Sequence, residues 1–198
     1  MHLNDQIDAS RELRGFLSLN EVQSLSNNTV LDPFSTLISK TVILGTGNLF
    51  YPGVVIETSG GTIEVGNDNT FHSSLNVGVD SGGRLRIGDG NTFGPGSTTL
   101  IVEGAEELVI GSRTRISGGA QISAPAFIGD GAQVLGTISA RRLRLEAGAD
   151  HRHPDPDRRG GVLKGTGRAF DLSVAIGDVI NGAGKFEQRG AERQRDYH

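Results

Sequence analysis

Five histidines, His2, His72, His151, His153 and His198, are the side chains of this sequence best suited to move a proton or bind a metal. Imidazole titrates near neutrality, and its neutral nitrogen is a common metal ligand. Cysteine is absent, which removes thiolate zinc sites, disulfides and cysteine nucleophiles from consideration. His2 and His198 stand at the chain termini, poor places for an ordered site. His72 directly follows Phe71 inside a repeated segment. If Phe71 points inward, alternation along a strand turns His72 outward onto a face. There it can act as a general base toward a hydroxyl or amine, or be an ordinary surface or interface histidine. His151 and His153 fall in Asp150-His151-Arg152-His153-Pro154-Asp155-Pro156-Asp157, where two imidazoles and three carboxylates are the right ligand types for a metal. Pro154 and Pro156 exclude regular strand pairing, and a charged exit loop is the favoured account of that stretch. Gly165-Thr166-Gly167-Arg168 is too short for a phosphate loop and no helix cue follows it.

The elements that must position these residues are set by an internal repeat. Leu44-Gly45-Thr46-Gly47-Asn48-Leu49-Phe50-Tyr51-Pro52-Gly53 returns as Val65-Gly66-Asn67-Asp68-Asn69-Thr70-Phe71-His72 and as Ile87-Gly88-Asp89-Gly90-Asn91-Thr92-Phe93-Gly94-Pro95-Gly96. Looser copies begin at Ile110 and Ile128. From Ile110, aliphatic residues recur every sixth position as Ile116, Ile122, Ile128, Val134 and Ala140. A period of six suits a short strand with one inward side chain followed by a turn, and three such units close a triangular coil. Coil starts at Leu44, Val65, Ile87, Ile110 and Ile128 are 21, 22, 23 and 18 residues apart. The extra residues, Ser59-Gly60-Gly61, Asp80 to Gly83 and Glu103 to Glu107, fall at one place in each coil, so they are expected to stack along one edge. Asn48, Asn69 and Asn91 are candidates for an asparagine ladder, with left-handed backbone tolerated there. Phe50, Phe71 and Phe93 are expected to stack in the core.

Residues 1–28 lack the repeat and are expected to form a helical cap, with Leu13, Phe16 and Leu17 at helical spacing. Residues 29–149 carry the coils, about six in number, 150–160 form the Pro/Asp/His/Arg loop, and 161–198 form a non-repeat β-rich extension ending in a charged tail expected to fray. The 198 residues carry 30 glycines without a collagen period, and a net charge of −4. Such a charge gives no reason to expect nucleic acid or an anionic membrane as partner. The basic spots Arg141-Arg142-Leu143-Arg144 and Arg158-Arg159 are flanked by acids and read as solvated surface. The start has neither a basic n-region nor an apolar h-region, and no run approaches a membrane span, so a soluble, cytoplasmic protein is expected.

These residues resemble the hexapeptide-repeat superfamily, whose signature is an aliphatic residue, glycine and four variable positions. The resemblance covers about residues 29 to 149 and implies an all-β, left-handed parallel β-helix, usually a homotrimer. The superfamily includes acyltransferases, γ-class carbonic anhydrases and non-catalytic scaffolds. The Gly45–Gly53 and Gly88–Gly96 form is most similar to the dynactin pointed-end subunits and their bacterial relatives. That likeness implies a non-catalytic assembly or binding protein with a possible protein partner and no cofactor. The alternative is an acyltransferase at the subunit interface, with His72 as its base and a CoA-linked acyl donor. A third option is an anhydrase-like metal enzyme, for which His151 and His153 are weak candidates.

Overall fold

The structure, a computed structural model, describes residues 3–197, leaving His2 and His198 outside the described residues. Its strands stack in parallel, each pairing with the equivalent strand one coil away, along three faces of a prism. On the first face Thr29–Val30, Leu49–Phe50, Thr70–Phe71, Thr92–Phe93, Arg115–Ser117 and Gln133–Leu135 follow one another. The inward column there reads Val30, Phe50, Phe71, Phe93, Ile116, Val134. The second face turns in Ile38, Ile56, Val77, Leu100, Ile122 and Ala140. The third turns in Leu44, Val65, Ile87, Ile110, Ile128 and Leu145. Nearly all of these side chains are buried in one continuous core. Each contributes roughly 1.5–3 kcal/mol when fully covered.

The glycine after each coil start is required by space, not by backbone angle. A Cβ on Gly45 would lie 2.5 Å from the Gly66 carbonyl oxygen, and one on Gly129 would lie 2.4 Å from the Ala147 nitrogen. Left-handed backbone falls one residue before each ladder asparagine, at Gly47, Asp68 and Gly90. The asparagines themselves are therefore not the left-handed residues. Their work is hydrogen bonding: the backbone N–H and Nδ2 of Asn69 both donate to Asn48 Oδ1 at 3.0 Å, and the Asn91 N–H donates to Asn69 Oδ1 at 2.9 Å. The ladder starts at Asn28 and ends at Thr114, whose N–H and hydroxyl both donate to Asn91 Oδ1 at 2.8 Å. Beside it the rings of Phe50, Phe71 and Phe93 stack with centroids 5.0 and 5.2 Å apart. The extra residues of the long coils do stack along one edge: the Ser59 N–H donates to the Val79 carbonyl and that of Asp80 to Val102.

Three expectations are corrected. The parallel stacking does not end at residue 149. Val162–Val174 pairs with Gln133–Leu135 and with Ile138–Leu145, and Asp178–Lys185 pairs on top of it. Leu163 and Ile180 extend the first inward column to eight rungs among the described residues, against the expected six. These coils lack the Gly-x-x-Asn signature, which is why the hexapeptide count stops short of them. The C-terminal tail is docked: Ala191–Arg193 pairs antiparallel with Asp178–Ile180, and Gln194, 5% exposed, donates Nε2 to the Gly160 carbonyl at 2.8 Å. Phe186 is buried over the end of the core, and the antiparallel closing strand covers the outer edge of the last rung at Asp178–Ile180.

At the other end α1 (Leu3–Leu13) and α2 (Leu19–Gln23) precede the first coil. Leu13, Phe16 and Leu17 do not share a helical face, because Gly15 adopts φ +76° and turns the chain after Leu13. Leu13 is 89% exposed, whereas Phe16 is buried and bridges to Ser39. Ser18 and Glu21 form a capping box at the start of α2. The Leu17 N–H donates to the Ile38 carbonyl and Arg11 donates to the carbonyls of Pro33 and Thr36, tying the segment to the first coil.

Candidate functional site

The first face carries two outward rows, one on each side of the inward column. One reads Thr70, Thr92, Arg115, Gln133, Val162, Val179, and the other Tyr51, His72, Gly94, Ser117, Leu135, Lys164, Asn181. His72 thus points outward as alternation required. Its ring stacks on that of Tyr51, centroids 4.6 Å apart and 25° between planes. On its other side is Gly94, where a Cβ would come within 2.5 Å of the His72 Cβ.

Further along the same face the two rows form the floor of a cleft of about 350 Å³. Its apolar floor is Leu135, Val162 and Val179. One wall is the 150–160 loop, which contributes His151 and Arg159, and the other is the docked C-terminal segment, which contributes Gln194 and Tyr197. Arg115 and Lys164 complete the lining, and no aspartate or glutamate is part of it. Loop and tail are fastened together, since Arg193 donates to Asp157 at 2.9 Å and to Asp178, and Arg195 also pairs with Asp157. The Tyr197 hydroxyl donates to Glu192.

Within the cleft, the His151 Nδ1 is buried and has no hydrogen-bond partner among the described residues. Burial, followed by the positive charges of Arg115 and Arg152, pushes its pKa down from the usual histidine value of 6.5, against a smaller opposing pull from Asp150. The imidazole is therefore mainly neutral at physiological pH. Arg115 donates one guanidinium nitrogen to Gln133 Oε1 at 3.4 Å. Neither Arg115 nor Lys164 has an ion-pair partner among the described residues.

The expected site residues are thus distributed unevenly. His72 does not line the cleft, although it shares the face. His153 is engaged inside its loop, its Nδ1 accepting from the Asp155 N–H at 3.2 Å. His151 faces the cleft without it, and no group of three His, Cys, Asp or Glu side chains placed to hold a metal occurs among the described residues. Arg115, Lys164 and Gln133 were not singled out by the sequence. Arg115 and Gln133 precede the inward residues Ile116 and Val134, so the six-residue count places them in one row. Lys164, in the opposite row, reaches the same cleft only because Leu163 continues the column.

The chain folds as a parallel β-helix. That statement rests on its six-residue period and on the coil geometry. No family model matches the sequence, and no curated protein matches it. Among solved structures, this β-helix is similar to UDP-N-acetylglucosamine O-acyltransferase from Moraxella catarrhalis RH4 at 12% identity, covering 85% of this chain and 72% of that one, with a TM-score of 0.30. It is also similar to LpxA from Acinetobacter baumannii at 12% identity, covering 79% and 70%, with a TM-score of 0.31. At such scores the likeness carries no argument about activity. No described helix of the β-helix protein is long and apolar enough to cross a membrane.

Proposed function

We propose that this β-helix is a non-catalytic binding module that takes up a small anionic ligand in the cleft of its first face. The observation that supports this reading is the composition of the cleft: Arg115, Arg159 and Lys164 around an apolar floor, with no carboxylate in the lining, on a chain of net charge −4. Cations gathered against low-dielectric walls strengthen attraction for an anion. The full chain titrated with a panel of small carboxylates, sulfate and phosphate esters should show a rise in unfolding temperature with at least one of them. No shift with any member of the panel would remove the reading. By resemblance to its superfamily, the module is a homotrimer.

Acyl transfer is the second reading, and one observation favours it. His72 lies in the same outward row as Leu135 and Lys164, three and four rungs away, or roughly 14–19 Å at the usual inter-strand spacing. An extended CoA-linked donor anchored by its phosphates in the cleft would lie along the row toward that imidazole, which would then deprotonate the acceptor. Acyl transfer from acetyl-CoA that disappears in His72→Ala would put this reading in place of the first. Absence of transfer and of CoA binding would remove it.

A further inference from the structure

Building on the proposed anion cleft, we infer that its ligand is a phosphate monoester with a flat, apolar body, the phosphate held by Arg115, Lys164 and His151 and the body laid on Leu135, Val162 and Val179. The three polar groups reach the cleft from different elements. Arg115 comes from the fifth rung, Lys164 from the seventh, and His151 from the loop that walls one side. A carboxylate presents two oxygens in one plane and is satisfied by a single guanidinium fork, whereas a phosphate presents three terminal oxygens in different directions. Donors set around a cleft fit the second shape. Arg115 and Lys164 have no anion of their own among the described residues, and the His151 Nδ1 is buried without a partner. A buried polar atom left in that state is costly unless something completes it. As the Nδ1–H tautomer, His151 donates to a phosphate oxygen; as the other tautomer, it accepts from a protonated one. The aliphatic floor has no role in holding an inorganic ion and is accounted for by an apolar body.

The test uses the full chain and three probes in a phosphate-free buffer: phenyl phosphate, inorganic phosphate and benzoate, each titrated calorimetrically. Phenyl phosphate is expected to bind at least about 10-fold more tightly than either of the others: over benzoate by the scale of one charge-assisted hydrogen bond, and over inorganic phosphate by burial of its ring on the apolar floor. Arg115→Gln and Lys164→Gln should each weaken it by about 10-fold or more, whereas Arg144→Gln, on the third face, should leave it unchanged. Unfolding curves check that the three variants remain folded. In the NMR spectrum, phenyl phosphate should shift the His151 imidazole resonances and not those of His72. Binding of benzoate as tight as that of phenyl phosphate overturns the phosphate assignment while sparing the anion cleft. Unchanged affinity in both cleft variants, or no binding by any probe, overturns the cleft itself.

Discussion

His72 lies flat on Tyr51, one rung below it on the outer face, and the next position in the row is Gly94, so within the row the imidazole has a ring on one side and a glycine on the other. The row position is what makes this arrangement possible, because a residue larger than glycine at 94 would meet the histidine at its Cβ.

Gly94→Ala combines that clash with a backbone at φ +106°. It is expected to destabilise the protein by about 1–3 kcal/mol, the usual strain of a side chain held in such a region. A lowered urea midpoint with unchanged slope would show it. Gly94→Ala made in a His72→Gly background, which lacks the opposing Cβ, should cost less than in the wild type, and an equal cost would mean that backbone strain alone accounts for the effect.

Asn69→Ala removes the oxygen that accepts from the Asn91 N–H, and with it the amide that donates to Asn48. Each polar group left buried without a partner costs about 1–3 kcal/mol. Asn91→Thr should be milder, because Thr114 already ends the ladder in this way and the Asn91 Nδ2 has no partner among the described residues. Chemical denaturation of the two variants compares them directly. Equal losses would show that the ladder's hydrogen bonds do not set the order.

Phe71→Ala empties the middle of the three-ring column, where Phe71 is fully buried. A loss of about 3–5 kcal/mol is expected, large against the 5–15 kcal/mol typical of a folded domain. A drop in unfolding temperature well beyond that of any single substitution on the outward rows would confirm it.

Stability should also fall on mild acidification through His151. Its folded pKa is depressed below 6.5. Between that folded value and 6.5 the unfolded chain therefore binds more protons than the folded one, and stability decreases as pH falls through the window. The contribution is fully present above pH 6.5. Urea unfolding of the wild type and His151→Gln at a series of pH values should show a smaller slope below 6.5 in the variant. Parallel curves would mean that His151 titrates alike in both states.

Much of the prism can be read directly in the sequence, because each coil repeats a local geometric demand. The six-residue period fixes which side chains turn inward, the glycine after each coil start marks where neighbouring backbones come too close for a Cβ, and the recurring asparagine marks a buried turn that needs a polar partner. From those facts follow the phenylalanine column, the asparagine ladder, the single stacked edge of extra residues and the outward placement of His72. The last coils obey the same inward column through Leu163 and Ile180 but without its punctuation, and so they are invisible to the count. The cleft depends on them. Arg115, His151, Lys164 and Gln194 are separated by up to 79 residues and share no local pattern. They meet only because parallel stacking continues past the proline loop and the tail folds back to pair antiparallel, where Arg193 and Arg195 find Asp157. Period and turn chemistry act over a few residues and are written in order along the chain. The juxtaposition of a loop, two distant rungs and a returning strand is decided by long-range packing, which only the folded structure contains.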